Sequence, residues 1–287
     1  MKIKTDCATV TGDMDFVLPF LFKLVLGMAI GFCIGLTGVG GGVLGLQAMT
    51  LIIGLDPIKA VGTTSLYIFL TNVSAVFHHA RQHNVDWRLV RRMLCGAVPG
   101  VVVVSFWISG SGHDAAFKQH LLRFIIGVVL FSVAVMVVNL VAGWRGWRAG
   151  RVSLIAWMGG GVLMQTILGV CCGGVIGGLI GATSIGGGVL IVPILILIFG
   201  LSASRTVGTS IAITFFLTFV MAVIFGRSGE LDTATAVIMA VGSIGGVRFG
   251  SRLSVRMPER LLLVVMVALI AIAAVLMLVT QGRGAGG

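Results

Sequence analysis

The chain has 287 residues, of which 57% are hydrophobic and only 10% charged, with a formal net charge of +11. A soluble domain carries roughly 25% charged residues, so this composition excludes a soluble enzyme and marks an integral membrane protein. The basic surplus sits in short loops between apolar runs, the positive-inside pattern of cytoplasmic loops beside anionic lipid, and no nucleic-acid-binding module accompanies it.

The apolar runs have helix length and lack the roughly ten-residue alternation of a membrane barrel, so an all-α, polytopic membrane protein is expected. After an N-terminal segment at 1–15, apolar segments are predicted at about 16–36, 43–55, 61–79, 93–109 and 121–142. A basic linker at 143–153 follows, then segments at 154–182, 189–201, 207–225, 235–253 and 261–279, and a tail at 280–287. The first run could pass for a signal peptide, but its counterpart at about 162–182 is internal, so a retained span is expected. The runs 43–55 and 189–201 are too short to cross about 30 Å of hydrocarbon, which takes about 20 helical residues. They read as half-helices, each following a glycine triplet, Gly40-Gly41-Gly42 or Gly186-Gly187-Gly188. Non-helical backbone at membrane depth survives only where protein buries it or it lines a cavity. Counting or not counting the half-helices gives ten or eight spans.

The second set of segments repeats the first at an offset of 146 positions. Over Gly35–Thr64 against Gly181–Ser210, 14 of 30 positions are identical without a gap, including the triplets and the V-G-T pairs Val61–Thr63 and Val207–Thr209. The units are 16–142 and 154–279, with about five apolar segments each. Internal duplication in an apolar chain is a transporter feature, with the substrate site where the repeats meet. Loop charge then sets relative orientation. Arg81–Arg92 carries four arginines (Arg81, Arg88, Arg91, Arg92) against Asp86, whereas its counterpart Gly226–Asp232 carries Arg227 against Glu230 and Asp232. Opposite charge bias in equivalent loops predicts opposite sides of the membrane, hence inverted-topology repeats.

The nine carboxylates all fall in termini or loops, which argues against a cation pump, a proton relay or hydrolysis by paired acids at depth. The glycine triplets suit an anion instead. Each precedes a short helix whose first amides are unpaired and whose dipole is positive at that end, and consecutive glycine amides can form an anion-binding nest. Candidate substrate-binding residues are Thr37, Gly38, Gly40, Gly41, Gly42, Thr63 and Thr64 in the first repeat. Their second-repeat partners are Thr183, Ser184, Gly186, Gly187, Gly188, Thr209 and Ser210. The hydroxyls can donate to an oxyanion or bond back to their own helices. Lys23, Gln47, Asn72 and Arg248 are further polar groups in apolar runs. Gln47 and Asn72 read chiefly as helix-to-helix hydrogen bonds, His78 and His79 as interfacial groups, and Gly96 and Gly100 as close-packing glycines. Five cysteines without metal-ligand spacing suggest no zinc site or disulfide framework. The match of Gly40, Gly42 and Gly45 to a dinucleotide fingerprint lacks a strand and a βαβ unit, and no phosphate-binding GxxxxGK[ST] is present, so no cofactor and no ATP hydrolysis are expected.

Two copies of G-x-x-[GS]-[VI]-G-G-G-[VIL]-L, each followed by V-G-T-[TS], together with HARQHNVDWR from His79 to Arg88, resemble the TauE/SafE sulfite exporter family, the TSUP permeases, over about Phe16–Val279. The resemblance implies a bacterial inner-membrane protein that moves sulfite, sulfoacetate or other organosulfonates; the residues alone give only a small anion. Two positions depart from the family pattern: Gln47 stands where the second repeat keeps Pro193, and Val104 where it has Gly250. The leading expectation is a secondary transporter, and not an enzyme, with a small anion and membrane lipids as partners. A passive anion channel and a membrane enzyme acting on a lipid phosphate stand as alternatives, and the oligomeric state is open.

Overall fold

The computed structural model describes residues 3–38, 41–110, 161–183 and 188–284. The segment expected at 121–142, the linker at 143–153, and Gly40, Ser184, Gly186 and Gly187 lie outside the described residues. Nine α-helices are described: α1 (Ile3–Thr37), α2 (Gly41–Gln47), α3 (Pro57–Arg81), α4 (Trp87–Gly110), α5 (Val162–Thr183), α6 (Gly188–Leu197), α7 (Ala203–Arg227), α8 (Thr233–Arg256) and α9 (Glu259–Gly284). Among the described residues there is no strand. Among the described residues, five stretches are long and apolar enough to cross a membrane: Leu18–Thr37, Lys59–Arg81, Val162–Gly181, Ala203–Arg227 and Thr233–Arg256. The protein is a multi-pass helical membrane protein. The N-terminal segment is continuous with α1, which starts at Ile3.

The two short elements are short for different local reasons. Helix α2 has seven residues and runs into a π-helical turn of five, Ala48–Ile52, together about 18 Å of rise. Helix α6 has ten residues and contains Pro193. Both begin inside the glycine triplet, at Gly41 and Gly188, one or two residues earlier than the apolar pattern indicates. Both end at a left-handed glycine, Gly54 (φ +78°) and Gly200 (φ +65°), which lie 146 positions apart. That conformation costs glycine little and stops a helix.

Glycine ladders decide which long helices touch. On α1, Gly27, Gly31 and Gly35 recur every four residues and meet Met239, Ser243 and Val247 of α8, while Gly242, Gly246 and Gly250 of α8 meet Leu24, Met28 and Phe32 of α1. A methyl at Gly27, Gly242 or Gly246 would land on a backbone carbonyl of the other helix. This is the small-residue mode of helix association in lipid, where close backbones gain dispersion and Cα–H···O contacts without any hydrophobic driving force. The same seam recurs 146 positions on: Gly173 and Gly177 of α5 meet Met93 and Ala97 of α4, and Gly96 and Gly100 of α4 meet Val170 and Gly174 of α5. Each seam therefore joins the first helix of one repeat to the fourth helix of the other. In both, contact numbers rise together, so the paired helices run parallel.

Helices α3 and α7, equivalent in the two repeats, cross at the centre. Phe69 stacks on Phe215, its own counterpart, with ring centroids 5.2 Å apart. On one side of that pair Gly62 lies against Phe225, and on the other Gly208 lies against His79. Contact numbers run in opposite directions, so α3 and α7 are antiparallel. The buried core follows the same exchange. One cluster holds Ile30, Ile34, Met49, Tyr67 and Met239, and another holds their counterparts Ile176, Ile180, Leu195, Ile213 and Met93.

Candidate functional site

The first break begins where α1 ends. Thr37 is fully buried and its hydroxyl donates to Cys33 O at 2.8 Å, the back-bonding that threonine makes inside a helix. Gly38 then turns the chain with φ +68°. A methyl there would run into Ser210 Oγ and stand 3.0 Å from Val207 O, so the turn lies directly on the V-G-T-S segment of the other repeat. Beyond the turn, Gly41 and Gly42 are buried at the start of α2. Gly41 faces the ends of Ile34 and Ile68, and Gly45 faces Thr64 Cγ2. The turn at Gly38 thus lies on Ser210 of α7, and the short helix that follows lies against the Thr64 methyl of α3 at Gly45. Of the second break, Gly188 is described and buried, and Thr183 closes the backbone of α5.

The V-G-T residues sit in the second turn of α3 and α7, where the other repeat closes over them. The backbone N–H of Asp232 donates to Thr63 Oγ1 at 2.9 Å, and that of Asp86 to Thr209 Oγ1 at 3.1 Å. The preceding glycines make this possible, since a methyl at Gly62 would fall on Glu230 O and one at Gly208 on Asn84 O. Each aspartate also caps the helix that follows it. Asp86 Oδ1 accepts from the N–H groups of Arg88 and Leu89, and Asp232 Oδ1 accepts from that of Thr235. Burial pushes the Asp232 carboxyl up. Hydrogen bonds from the Thr235 hydroxyl and amide, with the Lys23 charge, more than offset this and hold it below the usual carboxylate range.

Thr63 and Thr209 therefore spend an acceptor lone pair on structure. Ser210, fully buried, donates to Val207 O at 2.9 Å. Thr64 differs: it is buried and its Oγ1 has no hydrogen-bond partner. Gln47 Oε1 and Asn72 Oδ1 are likewise buried without partners, so the helix-to-helix hydrogen bonds expected of these oxygens are not made. A buried polar atom left unpaired costs about 1–3 kcal/mol, so each such atom calls for a ligand, a water or a function.

The two candidate cations lie elsewhere. Lys23 Nζ donates to Thr235 Oγ1 at 2.9 Å, which in turn donates to Asp232 Oδ2 at 2.7 Å, placing Lys23 at the Asp232 end of the α1–α8 seam. Arg248 is exposed on α8. His79 is fully buried in the protein, with Nε2 3.3 Å from Gly35 O. One buried group was missed from the sequence: Thr71 Oγ1 and Ser243 Oγ lie 2.6 Å apart, beside the Tyr67 hydroxyl that donates to Gly27 O at 3.3 Å. The repeat held the signal, since the counterparts of Thr71, Ser243 and Tyr67 are Leu217, Ala97 and Ile213. Polar residues replace apolar ones on one side of the pseudo-symmetry.

Chemically, the region around the first break offers hydroxyl and amide groups and no negative charge. The five membrane-crossing stretches contain no Asp or Glu. Among the described residues, no group of three or more His, Cys, Asp or Glu is placed to hold a metal ion, and Cys33, Cys95, Cys171 and Cys172 are free thiols.

Comparison with known proteins agrees with this architecture. Residues 23–277 match the family described as sulfite exporter TauE/SafE. "Probable membrane transporter protein YjnA" of Bacillus subtilis (strain 168) is 32% identical over 253 residues, covering 87% of this chain and 96% of the relative. "Probable membrane transporter protein YunE" of the same organism is 24% identical over 259 residues, covering 87% and 93%. A "Probable membrane transporter protein" of Xylella fastidiosa (strain 9a5c) is 25% identical over 237 residues, covering 80% and 83%. No solved structure gives a significant match. With five membrane-crossing stretches, a doubled glycine-break motif and a match over nearly its whole length, this chain belongs to the TauE/SafE family and is a membrane transporter.

Proposed function

We propose that the protein is a secondary transporter, an exporter, of small sulfur-containing anions such as sulfite, sulfoacetate or other organosulfonates. It works by alternating access of two inverted repeats around a site near the membrane midplane, in the inner membrane of a bacterium. The anion binds between the two breaks, on glycine amides and on hydroxyls of the V-G-T-[TS] segments. The observation that carries this reading is the buried, unpartnered hydroxyl of Thr64, a residue packed on the short helix that follows a break lying on Ser210 of the opposite repeat. Carbon-bound glycine hydrogens there leave backbone N–H groups open to close approach, and an oxyanion accepts from several donors at once. The freedom of the spans from carboxylates removes the principal repulsion such a guest would meet. Antiparallel crossing of α3 and α7 supports the inverted relationship. A rocking motion about the Phe69–Phe215 contact would expose the site to each side in turn.

The test is flux in proteoliposomes. Loading with labelled sulfite or sulfoacetate should give transport that Thr64→Val reduces at least several-fold while the variant inserts and unfolds normally. Flux of the same rate in wild type and variant removes the site from this position.

A further inference from the structure

A second basic feature lies apart from the breaks. At the end of the molecule where α4 and α7 begin and α5 starts, a cavity of about 500 Å³ is lined by Arg88, Arg92, Arg205, Gln165, Ser202 and Asp86, among others. Its size falls within the range of small-ligand sites. Three arginines and one carboxylate line it, and one oxygen of that carboxylate is already engaged: Asp86 Oδ1 accepts the N–H groups of Arg88 and Leu89 at 3.1 Å. Arg92 is held in place by Gln165, whose Oε1 accepts from Nη1 at 3.0 Å. Among the described residues none of the three guanidiniums is ion-paired. Ser202 stands at the N-cap of α7 and makes no side-chain cap hydrogen bond. The dipole of this 25-residue helix is positive at the same wall.

The repeat supplies an internal control. At the positions 146 away, Arg88 and Arg92 become Ala234 and Ile238, Arg205 becomes Lys59, and Asp86 and Ser202 become Asp232 and Asp56. One mouth thus presents three cations against one acid, and the other, with Lys59 and Lys23, two cations against two acids. Packing of the shared fold cannot require the arginines, since the equivalent wall is built without them.

We infer that this cavity is a second anion site, at the mouth beside the Arg81–Arg92 loop, taking a small oxyanion with a sulfonate, sulfate or phosphate group. Planar guanidiniums match such a group's several acceptor oxygens. Sitting at one mouth only, the site raises anion concentration there and biases loading from that side. It stands on the cavity and its charges, independently of the transport site at the breaks.

The experiment is calorimetric titration of sodium sulfate into the full chain in phosphatidylcholine nanodiscs, in the wild type and in a Thr64→Val background. Arg88→Gln with Arg205→Gln, both exposed positions that should fold normally, should raise the dissociation constant at least tenfold in both backgrounds. Arg252→Gln, an exposed arginine outside the cavity, should leave it unchanged. Adding phosphatidylglycerol separates the sources of the ligand. If it competes with sulfate in the wild type and not in the double variant, lipid phosphate fills the cavity; if it does not compete, the occupant is a free anion. Both outcomes support the site. An unchanged dissociation constant in the double variant, with or without phosphatidylglycerol, overturns it whatever Thr64→Val does to flux.

Discussion

Thr209 accepts the backbone N–H of Asp86 from the opposite repeat, and Thr63 accepts that of Asp232 in the same way, the two bonds being related by the 146-residue offset. Each repeat thereby holds down the loop that leads into the fourth helix of the other. Hydroxyls that read from sequence as anion ligands also pin the repeat interface.

Removing a pin leaves a buried N–H without a partner. Thr63→Val and Thr209→Val should each destabilise the protein by about 1–3 kcal/mol. The pins are separate, so the double variant should lose close to the sum. Thermal unfolding in detergent measures all three; no change in either single variant would mean that water replaces the bond at no cost.

Thr64→Val should behave oppositely. Its hydroxyl has no partner to lose, so stability should hold or rise slightly while anion affinity falls by about 0.5–1.5 kcal/mol, the net value of one hydrogen bond. Paired unfolding and binding measurements check this; a large loss of stability with unchanged affinity would assign Thr64 to the scaffold.

The glycine seams admit no side chain. Gly246→Leu should push α8 off Met28 of α1, and Gly173→Leu should push α5 off Met93 of α4. Either should lower the yield of folded protein severely, because overpacking forces backbone to move. Gly245→Leu, where a methyl meets nothing within 4 Å, is the control on the same helix; equal yields for Gly245→Leu and Gly246→Leu would refute the seam.

Acid should loosen the Asp232 end. Its carboxyl is held below its ordinary value, so its contribution is present above the unfolded value of about 3.9 and fades as pH falls through the lower folded value. Unfolding temperature should drop on acidification below about pH 4, and Asp232→Asn should flatten that limb. A wild-type limb as flat as the variant's would show that the Thr235 and Lys23 contacts do not favour the ionised form.

Much of this architecture was legible because duplication prints twice. The length of the apolar runs gave the two short helices, and the offset gave the V-G-T positions. Partner choice was not legible, since glycine ladders on α1, α4, α5 and α8 fit one another equally well in sequence; geometry alone pairs α1 with α8. Nor could spacing say that Thr63 and Thr209 face a loop of the other repeat while Thr64 faces no partner, because neighbours on a helix point about 100° apart. The burial of His79 was not legible for a related reason. It ends a span beside arginines, yet it packs against α1, with Nε2 3.3 Å from Gly35 O.

Counterflow in proteoliposomes tests the central claim most directly. Vesicles loaded with unlabelled sulfite or sulfoacetate and diluted into a trace of the labelled anion should accumulate label transiently above equilibrium, and Thr64→Val combined with Ser210→Ala should abolish the overshoot. Label that equilibrates without overshoot for every sulfur oxyanion tried, or an overshoot indifferent to both substitutions, would contradict alternating access at a site between the repeats.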